Sequence, residues 1–184
     1  MRHHIRSIAS LAFLAAATLL CAIALSAQQG AQDEQQEVPQ PLQPPIDEKL
    51  LLQVHARGDQ IYVCKSAGGQ SNWTLKAPDA QLFDIRDQLV GKHFAGPSWQ
   101  SNDGSRVVGK VAVTVASPDV ESIPWLLVKV TSHTGNGVLS HATTIQRLNT
   151  EGGKAPGSGC DEDHVNQEVR VPYSADYFFY GPKS

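Results

Sequence analysis

The residues of this sequence best suited to bind a small molecule are aromatic, imidazole, cationic and acidic side chains in its central and C-terminal parts. They are His93, Trp99, Asp103, Trp125, Lys129, His133 and Arg147. Flat apolar rings beside a few oriented polar groups are what a small-molecule or sugar pocket requires. In the alternative interpretation, the two tryptophans fill the core and the histidines bind nearby carbonyl groups, which is their usual role in β proteins.

A second hypothesis makes the protein an enzyme of unrecognised type, with His93 and His133 as an acid/base pair or as metal ligands. The sequence lacks a G-x-S-x-G elbow, a phosphate-binding loop and an H-E-x-x-H motif. These absences favour a non-catalytic binding role over catalysis. We therefore predict a non-catalytic binding module without a cofactor, for an envelope or extracellular ligand that is a small molecule or a glycan. A structural or stress-related envelope protein with no small ligand is a third possibility.

An acidic cluster follows Cys160, and a hard cation such as calcium is bound by several oxygen ligands of this kind. It consists of Asp161, Glu162 and Asp163, followed by His164 and, further on, Glu168. The spacing is not that of a calcium-binding EF-hand loop. We predict a solvated loop rather than a metal site.

The elements that position these residues show a period of two, which is typical of strands. Val107, Val111 and Val113 share one face, and in the segment 123–133 a core face (Leu126, Val128) alternates with the face that starts at Trp125. We predict turns at 58–59, 68–69, 103–104 and 136–137, where Gly, Asn and Asp tolerate positive φ. The C-terminal run VRVPYSADYFFYG is apolar on both faces, as in a strand that is buried on both sides or one that closes a seam. The fold class predicted is all-β, an antiparallel β-sandwich or barrel, in a single domain over residues 49–184.

The N-terminus has the pattern of an export signal. A basic head with Arg2 and Arg6 precedes an apolar run over residues 8–24, and the small residues around Ser26 suit cleavage there. An uncleaved membrane anchor is the alternative, since about 20 apolar residues can span a bilayer. We predict a signal peptide over residues 1–26 and a disordered leader rich in Pro and Gln over residues 27–48. The protein is then periplasmic or extracellular, with no stable membrane insertion after cleavage.

Removal of this signal leaves 13 basic and 18 acidic residues, a net charge of −5. Nucleic acids and anionic lipids are held mainly by basic patches, so we predict no nucleic-acid partner. Removal also leaves two cysteines, Cys64 and Cys160. An even pair in an exported chain predicts one disulfide, with free thiols or a metal pair as alternatives.

Five sequence blocks carry a family resemblance: IYVC (61–64), WTLKAPDAQLFD (73–84), GKHFAGPSWQSNDGS (91–105), IPWLLVKVTSHTGNG (123–137) and IQRLNTEGGKAPGSGCD (145–161). In this order and spacing they resemble the signature blocks of an exported bacterial and fungal family, the domain of unknown function 3455. The resemblance implies an export signal and paired cysteines. It brings no established activity and therefore assigns no catalytic residue.

Overall fold

The computed structural model describes residues 37–183, and eight antiparallel strands form one closed barrel in it. Each strand pairs with the next along the chain, and the last strand pairs with the first. The strands are β1 (Glu48–Ala67), β2 (Gln70–Phe83), β3 (Leu89–Phe94), β4 (Ser98–Ser101), β5 (Arg106–Val115), β6 (Trp125–Thr134), β7 (Thr144–Gly152) and β8 (Glu168–Pro182). The predicted all-β antiparallel fold is confirmed, and its closure makes it a barrel. In residues 37–183, no helix is long and apolar enough to cross a membrane.

Strand β1 runs through the turn that was predicted at Gly58 and Asp59. Gly58 pairs with Ala80 of β2 on one side and with Tyr173 of β8 on the other, so the strand is held in both directions. A Cβ at Gly58 would lie 2.2 Å from the carbonyl oxygen of Asp79, and only glycine permits this approach. The predicted turn is therefore wrong, because pairing with two neighbours outweighs local turn chemistry.

Two of the other predicted turns form hairpins and one does not. Gly68 and Gly69 connect β1 to β2 with φ values of 60° and 76°. Asp103 and Gly104 lie in the turn between β4 and β5. The hairpin predicted at residues 136–137 is wrong: β6 and β7 are joined by a longer connection that contains the 3-10 helix Val138–His141.

The barrel interior is filled by large side chains from most of the strands. Trp99 of β4 is 2% exposed, and Phe179 of β8 is fully buried. Strand β8 alternates, so that Tyr173, Ala175, Tyr177 and Phe179 are buried while Ser174, Asp176 and Phe178 are partly exposed. As its two-faced apolar pattern indicated, β8 closes the seam between β7 and β1.

A second apolar cluster is centred on Trp125 and Leu127 of β6, on the face opposite to Val128. The 3-10 helix Gln40–Leu42 covers it, with Leu42 fully buried, and Gln146 Nε2 donates a hydrogen bond to Leu42 O at 2.6 Å. The disordered leader predicted over residues 27–48 is therefore corrected at its C-terminal end. From Val38 onwards the chain packs on the barrel, because Leu42 has an apolar site to fill. The rest of the leader and the predicted signal peptide lie outside the described residues.

Cys64 and Cys160 form a disulfide, as predicted. The bridge joins the far part of β1 to the long connection between β7 and β8, across 96 residues of sequence. Asn166 N also donates to Cys64 O at 2.9 Å, which fixes the end of this connection on β1. Such bridges are typical of proteins that fold in an oxidising compartment.

The barrel wall is low on one side because β3 and β4 are short. β3 pairs with β2 only from Ala80 onwards, so β2 up to that residue has no partner on this side. β4 pairs with β5 only up to Val108. The two longer strands therefore flank a gap above the β3–β4 turn, which contains Gly96 and Pro97.

Candidate functional site

The barrel encloses a pocket of about 270 Å³ that reaches from this gap into the interior, called here the interior pocket. Its buried lining consists of Gln60, Pro78, His93, Trp99, Val128, Arg147 and Tyr177. Its more exposed lining consists of Leu75, Lys76, Ala77, Gly96, Pro97, Val111 and Leu126. Mainly apolar side chains form the mouth, together with Lys76, which pairs with Glu168, and most of the other polar groups lie deeper.

An aromatic group forms one wall of the interior pocket. The His93 ring stacks on Trp99 with a centroid separation of 4.3 Å and an interplanar angle of 8°. Tyr177 meets both rings edge-on, at 5.2 Å from His93 and 5.5 Å from Trp99. Register explains the first contact, because His93 and Trp99 are directly paired residues of β3 and β4.

His93 is neutral in this environment. Its Nδ1 donates a hydrogen bond to Ser98 O at 2.9 Å, and its side chain is 3% exposed. Burial lowers the pKa of His93 to about 3, and the positive charge of Arg147 acts in the same direction, while the Ser98 carbonyl opposes both. His93 is therefore a ring to pack against and a neutral hydrogen-bonding group.

Arg147 contributes the charge of the interior pocket. It lies on β7, between Leu126 of β6 and Tyr177 of β8 in the register, and it is 9% exposed. Its Nε and one terminal nitrogen donate to the backbone carbonyl of Pro124 at 3.1 and 2.8 Å. No carboxylate of residues 37–183 forms an ion pair with it.

Several polar atoms in and beside the interior pocket are buried without a hydrogen-bond partner among residues 37–183. They are Gln60 Nε2, Trp99 Nε1 and the hydroxyls of Tyr177 and Tyr173. The first three belong to residues that line the pocket, and Tyr173 lies two inward positions before Tyr177 on β8, with Ala175 between them. Burial, with a smaller contribution from the nearby Tyr177, raises the pKa of Tyr173, so the Tyr173 phenol keeps its proton near pH 7.

The structure brings together three of the seven residues predicted to bind a ligand: His93, Trp99 and Arg147. The shared aromatic floor predicted for Trp99 and Trp125 does not form. Trp125 is buried under Leu42 on the outside of the barrel, whereas Trp99 lies inside it. Lys129, on the same outer face as Trp125, is exposed and donates to Thr144 Oγ1 at 3.1 Å.

Asp103 lies in the β4–β5 turn, where its carboxylate accepts hydrogen bonds instead of lining the interior pocket. Oδ1 accepts from Ser105 N and Ser105 Oγ at 2.9 and 2.6 Å, and Oδ2 accepts from Val138 N at 2.8 Å. These bonds, chiefly the one from the Ser105 hydroxyl, lower the pKa of Asp103 to about 2. The residue joins this turn to the β6–β7 connection.

The alternative hypothesis, an acid/base or metal pair of His93 and His133, gains no support. His93 pairs with Trp99, Trp99 with Val107, and Val107 with His133. The two histidines are therefore three strand spacings apart, which is about 14 Å along the sheet. His133 Nε2 donates to Ala142 O at 2.6 Å. The two rings have no common reaction centre.

The acidic cluster after Cys160 is an exposed loop in the structure. Asp161 caps the 3-10 helix Glu162–His164 by accepting from Asp163 N at 3.0 Å, and it pairs with His164 Nδ1 at 2.5 Å. In the described part of the chain, no group of three or more His, Cys, Asp and Glu side chains is placed to hold a metal ion.

Two buried polar residues of the interior pocket, Gln60 and Tyr177, were not predicted from the sequence. Gln60 follows Val54 and Ala56 at even positions of β1 and is 2% exposed. The turn predicted at Gly58 interrupted this alternation. If the alternation is continued through Gly58, it places the polar side chain of Gln60 inside the barrel. Tyr177 was assigned to an apolar face of the last strand, and its unpaired hydroxyl has no signal in the sequence.

A wider, more open depression of about 670 Å³ lies over strands β1 to β4. Most of its side chains are exposed, including Arg57, Asp79, Gln81 and Lys92. Arg57 pairs with Asp87, and Asp79 with Arg170, so these charges already have protein partners. The smaller interior pocket is the better candidate site because three of its lining residues, Gln60, Trp99 and Tyr177, carry buried polar atoms without a partner.

An eight-stranded antiparallel barrel has an interior just wide enough to be filled by side chains or to hold one small ligand. Fold and site therefore define this protein as a small closed β-barrel domain with an enclosed interior pocket. It belongs to the DUF3455 family of proteins of unknown function, whose family model matches residues 45–181, which confirms the resemblance seen in the sequence blocks. No curated protein and no solved structure is significantly similar to the chain.

Proposed function

We propose that this protein is an exported, non-catalytic binding domain that takes one small molecule into its barrel. The observation that carries the proposal is the set of unpaired buried polar atoms on Gln60, Trp99 and Tyr177, all of which line the interior pocket. Burying a polar group without a partner costs about 1–3 kcal/mol. Native proteins retain few such groups, and polar atoms of a bound molecule would satisfy several of them at once.

The protonation states of the pocket favour binding over acid/base catalysis. A catalytic acid or base works best with a pKa near the operating pH. Burial moves the pKa of His93 down to about 3 and the pKa of Tyr173 upwards, so both groups stay neutral near pH 7. His93, which lines the interior pocket, is therefore suited to hydrogen bonding with a ligand rather than to exchanging protons with it.

The position of Trp99 narrows the class of ligand. A protein that binds an extended glycan on its surface needs an exposed aromatic platform, but Trp99 is 2% exposed and His93 already stacks on it. A volume of about 270 Å³ corresponds to roughly nine water molecules at their liquid volume. The interior pocket therefore suits a compact molecule, a single sugar ring among others, and not a polymer chain.

Native mass spectrometry of the full chain, purified from an exporting host, tests this function. We expect a bound mass below about 300 Da that is retained under gentle ionisation, because most of a small ligand's surface is buried in such pockets. A thermal-shift screen of small polar molecules gives a second, independent readout. Bound ligand raises the melting temperature, since it stabilises only the folded state.

A variant pair tests whether the interior pocket is the binding site. Val111, at the mouth, is 43% exposed and pairs with the inward-facing Val128. Val111→Trp should block the mouth and abolish both the bound mass and the thermal shift. Lys110→Trp is the matched control, because Lys110 is the preceding residue of β5, is exposed and lies outside the pocket lining. The proposal is refuted if the wild type shows neither a bound mass nor a thermal shift, or if both variants bind alike.

A further inference from the structure

The charge of Arg147 is the least compensated feature of the barrel interior. A buried cation is stable when an anion pairs with it and its remaining hydrogen-bond donors are satisfied. Arg147 has only the neutral carbonyl of Pro124 as a partner, although it is 9% exposed. The charge of Arg147 also reaches Tyr62, His93 and Tyr173, and all three stay neutral near pH 7 because burial raises the pKa of the two phenols and lowers the pKa of His93. A positive charge with spare donors is therefore held inside the barrel without an anionic partner among residues 37–183.

We propose that the ligand of the interior pocket is a small carboxylic acid whose carboxylate pairs with Arg147. This inference rests on the proposed function and specifies the chemistry of the same site. The unpaired atoms of Gln60 and Trp99 are N–H donors, and the Tyr177 hydroxyl also donates. A lining that is rich in donors requires a ligand rich in acceptors, and a carboxylate offers two oxygens that can accept several hydrogen bonds.

The rest of the interior pocket specifies an apolar body for this acid. Val128 and Leu126 line its β6 side, and Leu75 and Val111 line the mouth at 52% and 43% exposure. An acid whose head reaches Arg147 would lay its chain or ring against these side chains and cover the two that are now exposed. The volume of about 270 Å³ limits the ligand to on the order of ten non-hydrogen atoms.

A purely structural role for Arg147 is the competing explanation. The guanidinium donates two hydrogen bonds to the carbonyl of Pro124, the residue before β6, and this contact alone would fix the position of the start of β6. In that case the cation has no preference for acids, and its removal destabilises the protein without changing any binding. The experiment must therefore separate charge recognition from stability.

Isothermal titration calorimetry on the full chain at pH 7 compares three acids with their neutral amides. Benzoate, cinnamate and hexanoate are matched by benzamide, cinnamamide and hexanamide, which keep the shape and remove the charge. We expect at least one acid to bind about 30-fold or more tightly than its amide, because leaving one partner of a buried charge pair unpaired costs at least about 2 kcal/mol. Inorganic phosphate, tested alone, should bind more weakly than that acid because it has no apolar body.

Arg147→Met removes the charge at similar volume and should lower acid affinity about 30-fold or more while leaving the amide affinity within a few-fold. Arg170→Met is the matched control, because Arg170 is an exposed arginine that pairs with Asp59 and Asp79 outside the pocket. Its acid affinity should equal that of the wild type. If Arg147→Met does not fold, Arg147→Lys keeps the charge and should keep the preference for acids over amides.

The outcomes separate this inference from the proposed function. If the wild type binds amides as tightly as acids, or if phosphate binds best, the carboxylate inference is overturned and the binding function stands. If an acid binds the wild type and Arg147→Met equally, the cation is structural and the inference is again overturned. If the wild type binds no acid and no amide, and native mass spectrometry finds no bound mass, the binding function itself fails.

Discussion

The pH dependence of stability offers a direct test of the barrel interior through His93. In the folded protein, burial lowers the pKa of His93 to about 3, whereas an unfolded imidazole has its ordinary value near 6.5. Between these two pH values the unfolded chain binds a proton that the folded chain does not. The contribution of His93 to stability is therefore fully present above pH 6.5 and is lost progressively as the pH falls towards 3.

The magnitude follows from this difference in pKa. Stability should fall by about 1.4 kcal/mol per pH unit on account of this residue, or about 2 kcal/mol between pH 7 and pH 5. Substitution of His93→Phe keeps a flat ring against Trp99 and removes the titrating group. The variant should be less stable at pH 7, because it leaves the Ser98 carbonyl without its donor, but it should lack this part of the pH dependence.

Urea unfolding, followed by tryptophan fluorescence at half-unit steps from pH 7 to pH 4.5, measures both quantities. Val107→Ala is the control, because it destabilises the same interior through a fully buried residue that does not titrate. It should keep the wild-type pH dependence. Equal slopes for the wild type and His93→Phe would refute the reasoning, since His93 would then take up its proton in the folded barrel as readily as in water.

Three further substitutions test how the barrel is held together, each by urea unfolding at pH 7. Leu42→Ala should lower the free energy of unfolding by about 2–5 kcal/mol, because Leu42 is fully buried. Ile46→Ala is the control and should change it by no more than about 0.5 kcal/mol, because Ile46 is 93% exposed. Equal losses for the two variants would show that residues 38–42 do not pack on the barrel. Replacing Cys64 and Cys160 together by serine should cost about 4–5 kcal/mol for a separation of 96 residues, and a loss under 1 kcal/mol would contradict a bridge in solution. Asp103→Asn should cost about 1–2 kcal/mol, because a neutral amide replaces a carboxylate that accepts from Ser105 and Val138, and no change would show that the turn does not depend on it.

Strand β6 shows what the sequence predicts well and where its prediction ends. The alternation that separates Trp125 from Val128 is real, and the two residues do point to opposite faces. What alternation does not reveal is which face looks into the barrel, because both faces of this strand are apolar and both are covered. The covering of Trp125 comes from Leu42, which is distant in sequence and lies in a segment whose composition suggested a tether.

The interior pocket depends on long-range register, which the sequence alone does not provide. His93 and Trp99 were paired by a local hairpin, and their contact could be predicted. Arg147 meets them only because β7 pairs with β8 at Tyr177, and Tyr177 then crosses the interior to both rings. Bulges, such as the one between Val111 and Val113 of β5, also shift the alternation at positions that no turn residue announces.

The shortness of β3 and β4 bears on how fast a guest molecule would come and go. A cavity sealed on all sides exchanges its contents only when hydrogen-bonded strands separate, which is rare in a stable sheet. Here the passage lies beside the β3–β4 turn, between β2 and β5. Neither strand has a pairing partner on the side that faces this passage. The rate of ligand exchange would then depend on how often the ligand meets the opening and on how easily it loses its hydration water. No strand of the barrel would have to separate from its neighbour.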